Sequence, residues 1–162
     1  MRHSLNIFDI DLICYDFDGV MTDNRALVLE DGTEGVYVNR GDGLAVAAIR
    51  KIGIPQVIIS TEENPVVTVR AAKLKVPVLQ GISDKLTALE DFVKKNGHSL
   101  KRVAYIGNDI NDLEAMQSVG FPIAPADAHP SILDLAVIVT SARGGEGVVR
   151  EFLESVLDNG KT

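Results

Sequence analysis

The chain has no tryptophan and only one cysteine, Cys14. A lone cysteine cannot close an internal disulfide, nor can it build a thiolate metal cluster by itself. It stands in the apolar run Leu12-Ile13-Cys14-Tyr15, where packing is its expected role. Aromatic residues make up 5% of the 162 positions, and no basic run accompanies them. Neither a base-stacking surface nor a phosphate-backbone footprint is present, so no nucleic-acid partner is expected. Lysine and arginine number 16 against 23 aspartates and glutamates, a net charge of −7. That balance argues against binding polyanions. No apolar stretch reaches the roughly 20 residues needed to cross a bilayer, and no basic-then-apolar leader opens the chain. The expectation is a cytoplasmic enzyme or binding domain with no membrane contact.

What is present is a large apolar fraction, 46%, enough for a core in one compact domain over residues 1–162. Short apolar runs read as buried strands: Leu12–Tyr15, Gln56–Ile59, Val103–Ile106 and Val137–Val139. Helical patterns lie between them. Gly43–Ile52 repeats apolar residues at i, i+3 and i+4, with Asp42 as its expected cap. Asn64-Pro65 opens a helix to about Leu74, Ser83 caps one through Lys95, and Gly97 ends it. Asn111–Ser118 and Gly147–Leu157 complete the set before a polar tail. The alternation predicts an α/β fold, a mainly parallel sheet with helices on both faces. A β-hairpin over about residues 26–39, with Asp31-Gly32 in its turn, interrupts the pattern after the first strand. There is no internal repeat or linker.

In an open α/β sheet, ligands bind beyond the carboxyl ends of the strands. The polar residues that follow the strands are therefore the candidates. Asp16, Asp18 and Asp23 follow the first strand; Ser60, Thr61 and Glu62 follow Ile59; Asn108, Asp109 and Asp112 follow Ile106-Gly107. Lys85 starts a helix after Gln80-Gly81. Clustered carboxylates repel one another and are costly to remove from water. A hard divalent cation such as Mg²⁺, which takes oxygen ligands and shares its shell with phosphate, resolves that conflict. One carboxylate can then attack phosphorus, and a second, two residues on, can protonate the leaving group. A lysine and a hydroxyl can hold the phosphoryl oxygens.

Asp16-x-Asp18-Gly19-Val20-x-Thr22-Asp23, Ser60, Lys85 and Gly107-Asn108-Asp109-Ile110-Asn111-Asp112 resemble, in order and spacing, the four motifs of the haloacid dehalogenase (HAD) superfamily. The resemblance implies a Rossmann-like HAD fold, Asp16 as nucleophile and Asp18 as general acid/base. It further implies Mg²⁺ held by the Asp16 carboxylate, the Asp18 carbonyl and Asn108 or Asp109. Ser60 and Lys85 would hold the phosphoryl group, and Asp112 would support the site from behind. Asn39-Arg40-Gly41-Asp42-Gly43, Gln80-Gly81-x-x-Asp84-Lys85, Pro125-Ala126-Asp127-Ala128-His129-Pro130 and Gly144-Gly145-x-Gly147 extend the resemblance. They are similar to the branch without a separate cap domain that includes 3-deoxy-manno-octulosonate 8-phosphate phosphatases. The implied substrate is a phosphorylated 3-deoxy-2-keto sugar acid, and the implied assembly is a homotetramer built through the hairpins.

Two departures shape the expectation. Octulosonate phosphatases carry Thr-Gly-Arg at the second motif, whereas this chain has Ser60-Thr61-Glu62 followed by Asn64-Pro65-Val66-Val67, Arg70 and Lys73. That string resembles nonulosonate 9-phosphate phosphatases and the C-terminal module of acylneuraminate cytidylyltransferases. It implies substrate contacts at Thr61, Glu62, Arg70 and Lys73. The second departure is Asn108, where the family pattern has an aspartate that binds the metal. A neutral oxygen there weakens Mg²⁺ binding, by on the order of a few kcal/mol before compensation. The alternative this leaves open is a catalytically weak oligomerisation or regulatory module. His129, before a proline, is expected in a loop or capping role, and Arg143 near substrate or a neighbouring subunit.

Overall fold

The computed structural model describes residues 5–158; the polar tail lies outside the described residues. Among these described residues, eight strands and six α-helices follow in chain order. They are β1 (Leu12–Tyr15), β2 (Leu27–Val28), β3 (Glu34–Gly35), α1 (Arg40–Ile52), β4 (Gln56–Ile59), α2 (Val66–Leu74) and β5 (Val78–Leu79). Next come α3 (Lys85–Lys95), β6 (Val103–Ile106), α4 (Leu113–Ser118), β7 (Phe121–Ala124), α5 (Pro130–Leu135), β8 (Ile138–Val139) and α6 (Val148–Asp158).

Six strands form one sheet in the order β5-β4-β1-β6-β7-β8, and every pairing in it is parallel. The chain therefore builds outward from β1 in one direction, then returns to β6 and builds outward in the other. This reversal between β1 and β6 opens a crevice at their carboxyl ends. Asp16 follows β1 and Gly107 follows β6, so the first and fourth motifs meet there.

The central strands β1, β4 and β6 are buried on both faces, as their unbroken apolar runs require. Ile13 and Tyr15 of β1 point into a core shared with Val46 and Ile49 of α1, Val67 and Ala71 of α2, and Phe152 and Val156 of α6. Leu12 and Cys14 point the other way, against Leu89 of α3, Met116 of α4 and Ile132 of α5. Cys14 is buried, and burial pushes its thiol well above the usual range. Tyr15 brings a hydroxyl into the first core and donates it to Gln56 Oε1 at 2.8 Å. Gln56 Nε2 in turn donates to the Val46 carbonyl at 3.1 Å, so these two buried polar side chains are paired. Among the described residues no helix is long and apolar enough to cross a membrane.

The hairpin forms by β2–β3 antiparallel pairing, and a Thr22–Val38 bridge closes its base. Gly32 takes φ +86° in its turn, a conformation glycine adopts without strain. The α1 cap differs from expectation. The helix starts three residues earlier than Gly43, and Asn39 Oδ1 accepts from the Gly41 and Asp42 amides. Asp42 is released from capping α1 and instead accepts the Arg150 amide at the start of α6. Likewise Asp84, not Ser83, caps α3 through the Thr87 amide. Strands β5 and β7 and helix α5 were not expected from the sequence.

Candidate active site

After Tyr15 the chain leaves β1 but stays tied to β6, because the Asp16 amide donates to the Ile106 carbonyl at 2.9 Å. It then turns tightly: the amides of Val20, Met21 and Thr22 all converge on the Phe17 carbonyl. Gly19 lies in this turn with φ +85°. A Cβ there would sit 1.9 Å from Asn108 Nδ2. Glycine is thus required twice, for its dihedral and for the approach of the fourth motif.

Lys85 is the buried hub. Its Nζ lies 2.6 Å from Asp16 Oδ1 and 2.8 Å from Asp112 Oδ1, with 2% of the residue exposed. Asp112, fully buried, also accepts the Tyr105 hydroxyl at 2.8 Å. Its other oxygen accepts the amides of Asn108 at 3.0 Å and Asp109 at 3.4 Å. The carboxylate therefore binds the lysine on one side and shapes the 108–109 turn on the other, and no oxygen of it is left for a metal. Tyr105, not singled out from the sequence, completes this network. Its signal was only that of a core aromatic on β6.

Two buried carboxylates thus share one ammonium. Burial, and then the charge of Asp112, push the Asp16 carboxyl up to about 8 against the lowering pull of Lys85. Burial alone would lower Lys85, but Asp16 and Asp112 outweigh it and hold the ammonium above its ordinary range. Asp18 is raised as well, by burial first, against the hydrogen bond from Thr22. The Thr22 hydroxyl donates to Asp18 Oδ1 at 3.2 Å and fixes that carboxylate. The site is short of positive charge, which is the electrostatic condition for a cation.

The donor set fits Mg²⁺. One end of the Asn108 amide lies 2.8 Å from Asp16 Oδ2 and 3.0 Å from the Asp18 carbonyl oxygen; with nitrogen there both contacts are hydrogen bonds, and with oxygen there the three atoms form an all-oxygen set. An octahedral Mg²⁺ with bonds of 2.0–2.1 Å sets neighbouring ligand oxygens about 2.9 Å apart. One carboxylate, one amide and one peptide carbonyl make up this set. Accordingly, no group of three His, Cys, Asp or Glu side chains placed to hold a metal occurs among the described residues. Asp109 takes a different position. It is exposed and uses Oδ1 to accept the Ile110 amide at 2.7 Å, capping the turn that follows.

Two cavities open from this point. One of about 160 Å³ is lined by Asp16, Asp18, Ser60, Thr61, Asn108 and Asp109, with Asn24 and Asn111 at its edge. It is polar throughout and of a size for a phosphoryl group with its metal. Ser60 Oγ accepts the Glu62 amide at 3.1 Å, which leaves the hydroxyl proton free to donate. The other, about 260 Å³, runs outward past Asp18 between the hairpin residues Ala26, Glu34 and Val36 on one side and the loop residues Glu62 and Asn64 with Val66 of α2 on the other. Asn64 Nδ2 donates to Glu34 Oε2 at 2.8 Å, which ties the hairpin to the second-motif loop.

Of the sequence-derived candidates, Asp16, Asp18, Ser60, Thr61, Lys85, Asn108, Asp109 and Asp112 gather here, and Glu62 lines the outer cavity. Arg70 and Lys73 do not line either cavity. Arg70 faces α1 and donates from Nη2 to the Asn39 carbonyl at 3.2 Å, while Lys73 is exposed on α2. Asp23 pairs with Arg25 at 2.7 Å outside the inner cavity. His129 caps α5 through Nδ1, which accepts the Ser131 amide. Asn24, Asn111 and Thr22 were missed as site residues. Thr22 and Asn111 stand inside the quoted motifs, whereas Asn24 carries no signal beyond following Asp23.

Residues 57–152 match the family described as haloacid dehalogenase-like hydrolase. The 3-deoxy-D-manno-octulosonate 8-phosphate phosphatase of Escherichia coli strain K12 is 35% identical over 150 residues, covering 92% of this chain and 80% of that protein. A structure from Streptomyces avermitilis described as a HAD family hydrolase is 46% identical with a TM-score of 0.93, covering 96% of both chains. The Moraxella catarrhalis octulosonate 8-phosphate phosphatase, solved with magnesium, phosphate and KDO, is 34% identical with a TM-score of 0.90; it covers 94% of this chain and 88% of its own.

Proposed function

The chain belongs to the haloacid dehalogenase-like hydrolase family, in the branch of the octulosonate 8-phosphate phosphatases, and from that membership we propose that it hydrolyses a phosphorylated 3-deoxy-2-keto sugar acid. The enzyme is a Mg²⁺-dependent HAD phosphatase. The observation that carries the reading is one polar pocket lined by Asp16, Asp18, Ser60 and Asn108, with the Lys85 ammonium against Asp16 behind it.

In this reading Mg²⁺ is held by Asp16 Oδ2, the Asp18 carbonyl and Asn108 Oδ1. Bound there, it supplies the charge that draws the phosphate in and keeps Asp16 ionised. Asp16 Oδ1 attacks phosphorus, the ester P–O bond breaks, and the leaving sugar oxygen takes the proton of Asp18. The raised Asp18 carboxyl suits that first task. Asp18 then accepts a proton from water, whose oxygen attacks phosphorus and releases Asp16. Lys85 has three N–H donors, of which Asp16 and Asp112 use two; the third and the Ser60 hydroxyl hold phosphoryl oxygens. Asp112 and Tyr105 position Lys85.

The sugar occupies the outer cavity. Octulosonate 8-phosphate is favoured by the named relatives. A nonulosonate 9-phosphate is the second reading, and Glu62 in the cavity wall, in place of the arginine of octulosonate phosphatases, supports it. We further propose a homotetramer, supported by the exposed apolar hairpin residues Leu27, Val28 and Tyr37. A cytoplasmic setting is supported by the net charge of −7 and the single free thiol.

The test is phosphate release from octulosonate 8-phosphate, nonulosonate 9-phosphate and unrelated sugar phosphates, with Mg²⁺ and with chelator. Turnover of a sugar-acid phosphate that stops on chelation is expected. No release from any of them would return the chain to the role of an inactive module.

A further inference from the structure

Asn108 carries an arrangement that the proposed reaction does not use. Its backbone is fixed on both sides: its amide donates to Asp112 Oδ2 at 3.0 Å, and its carbonyl accepts the His129 amide at 2.8 Å. The residue is 8% exposed, and its side chain is held over Gly19, where a Cβ would collide with it. The position of the amide is therefore set, while its two ends can exchange by a half-turn about the Cβ–Cγ bond. In one orientation Oδ1 faces Asp16 Oδ2 and the Asp18 carbonyl, and Nδ2 faces only donors. In the other, Nδ2 donates to Asp16 Oδ2 at 2.8 Å and to the Asp18 carbonyl at 3.0 Å, and both ends are satisfied.

We propose that Asn108 is a two-state metal ligand: without Mg²⁺ its amide nitrogen clasps Asp16 and the Asp18 carbonyl in the ion's place, and Mg²⁺ binding turns the amide to present its oxygen. An acidic residue at 108 has no such second state. It would set a further carboxylate 2.8 Å from Asp16, where the ion or the uptake of a proton is needed to relieve the repulsion, and a protonated carboxyl offers one donor where the amide offers two. Asparagine fills the metal-free site with two hydrogen bonds, which the ion must displace. The orientation that binds the ion also leaves Nδ2 against donors. The clasp thus exchanges metal affinity for a metal-free site that stays assembled, with Asp16 and Asp18 already in position.

The inference rests on the metal-dependent reading above, and one set of experiments separates the two. Calorimetric Mg²⁺ titration and thermal unfolding, with and without Mg²⁺, are run on the wild type and Asn108→Asp. Metal-free, Asn108→Asp is expected to melt at least about 3 °C below the wild type. It should bind Mg²⁺ at least tenfold more tightly and gain more in melting temperature at equal Mg²⁺. Nitrogen-15 spectra of the wild type, with the Asn108 side chain assigned through its own backbone, give a readout that does not depend on the variant folding. The Nδ2 protons should be protected from exchange without metal, and should shift and lose that protection at saturating Mg²⁺. A metal-free Asn108→Asp as stable as the wild type, or Nδ2 resonances unmoved by bound Mg²⁺, would overturn the clasp alone. Absence of Mg²⁺ binding to either chain overturns the metal site itself.

Discussion

Lys85 stands between two carboxylates that cannot both be left without it. Its removal places Asp16 and Asp112 together in a buried site with no counter-charge. Lys85→Met is expected to lower stability by about 3–5 kcal/mol, read by denaturant unfolding without metal. The loss should shrink at low pH, where the carboxylates take up protons. Asp16→Asn keeps the shape but removes the nucleophile, and kcat is expected to fall by a factor of roughly 10³ or more. Gly19→Ala tests the close approach of the two motifs. The new Cβ cannot share space with the Asn108 amide, and φ +85° penalises any side chain by about 1 kcal/mol. Mg²⁺ affinity should drop with the Asn108 displacement, measured by the same calorimetric titration. These residues were legible in the sequence because each is fixed in type by its task. Asp16, Asp18, Ser60, Lys85 and Asn108 stand at the ends of predicted elements with a spacing that few other tasks require. Tyr105 and Thr22 act through other side chains; Thr22 at least stands inside the first motif, whereas nothing in the immediate sequence of Tyr105 separates it from a packing residue.

At the scale of elements, Asp42 shows how a helix cap can be misread. An aspartate beside glycine at the start of an apolar periodicity is a sound capping pattern. Asn39, three residues earlier, takes that task through its own side chain. Asp42 then joins α1 to α6 by accepting the Arg150 amide at 3.0 Å. Burial pushes its carboxyl up to about 6, against the lowering hydrogen bonds from Arg150 and Val149 and the nearby Arg70. The native state therefore holds this proton more tightly than the unfolded chain does. Its contribution to stability is fully present below about pH 4 and is lost as pH rises through 6. In Asp42→Asn that term vanishes, since the amide carries no charge. The stability of the variant relative to the wild type should rise by roughly 2–3 kcal/mol between pH 4 and pH 7, followed by denaturant unfolding across that range. Strand β7 shows the opposite difficulty. Pro122 lies inside it, and proline argues against a strand flanked on both sides. The Pro122 carbonyl accepts the Val137 amide, so its missing N–H would also have pointed toward β8. Its neighbour Ile123 accepts the Gly107 amide on the β6 side. The proline therefore costs the sheet nothing where pairing is longest.

Across the whole molecule, the alternation of strands and helices was readable at β1, β4 and β6, which are buried on both faces, and less so at the shorter strands. The order of the sheet was not readable from any one segment. It follows from the return of the chain to β6 beside β1, which depends on distant contacts. Assembly also belongs to this scale. Leu27 is 59% exposed, Val28 61% and Tyr37 76%, an apolar group on a hairpin that also walls the outer cavity. Sedimentation should show a tetramer for the wild type. Replacing Leu27, Val28 and Tyr37 together by serine should give smaller species and raise KM more than it lowers kcat, since the sugar end of the cleft would be the part disturbed.

The central position of Cys14 has a practical consequence. Its thiol lies in the strand on which both halves of the sheet are built, and it has no solvent exposure. A thiol reagent can reach it only when that strand comes free, an event at the scale of global opening rather than local fraying. As there is no second cysteine, the labelling rate carries one signal. The chain thus contains its own unfolding clock, readable with a thiol reagent in dilute native buffer and without denaturant.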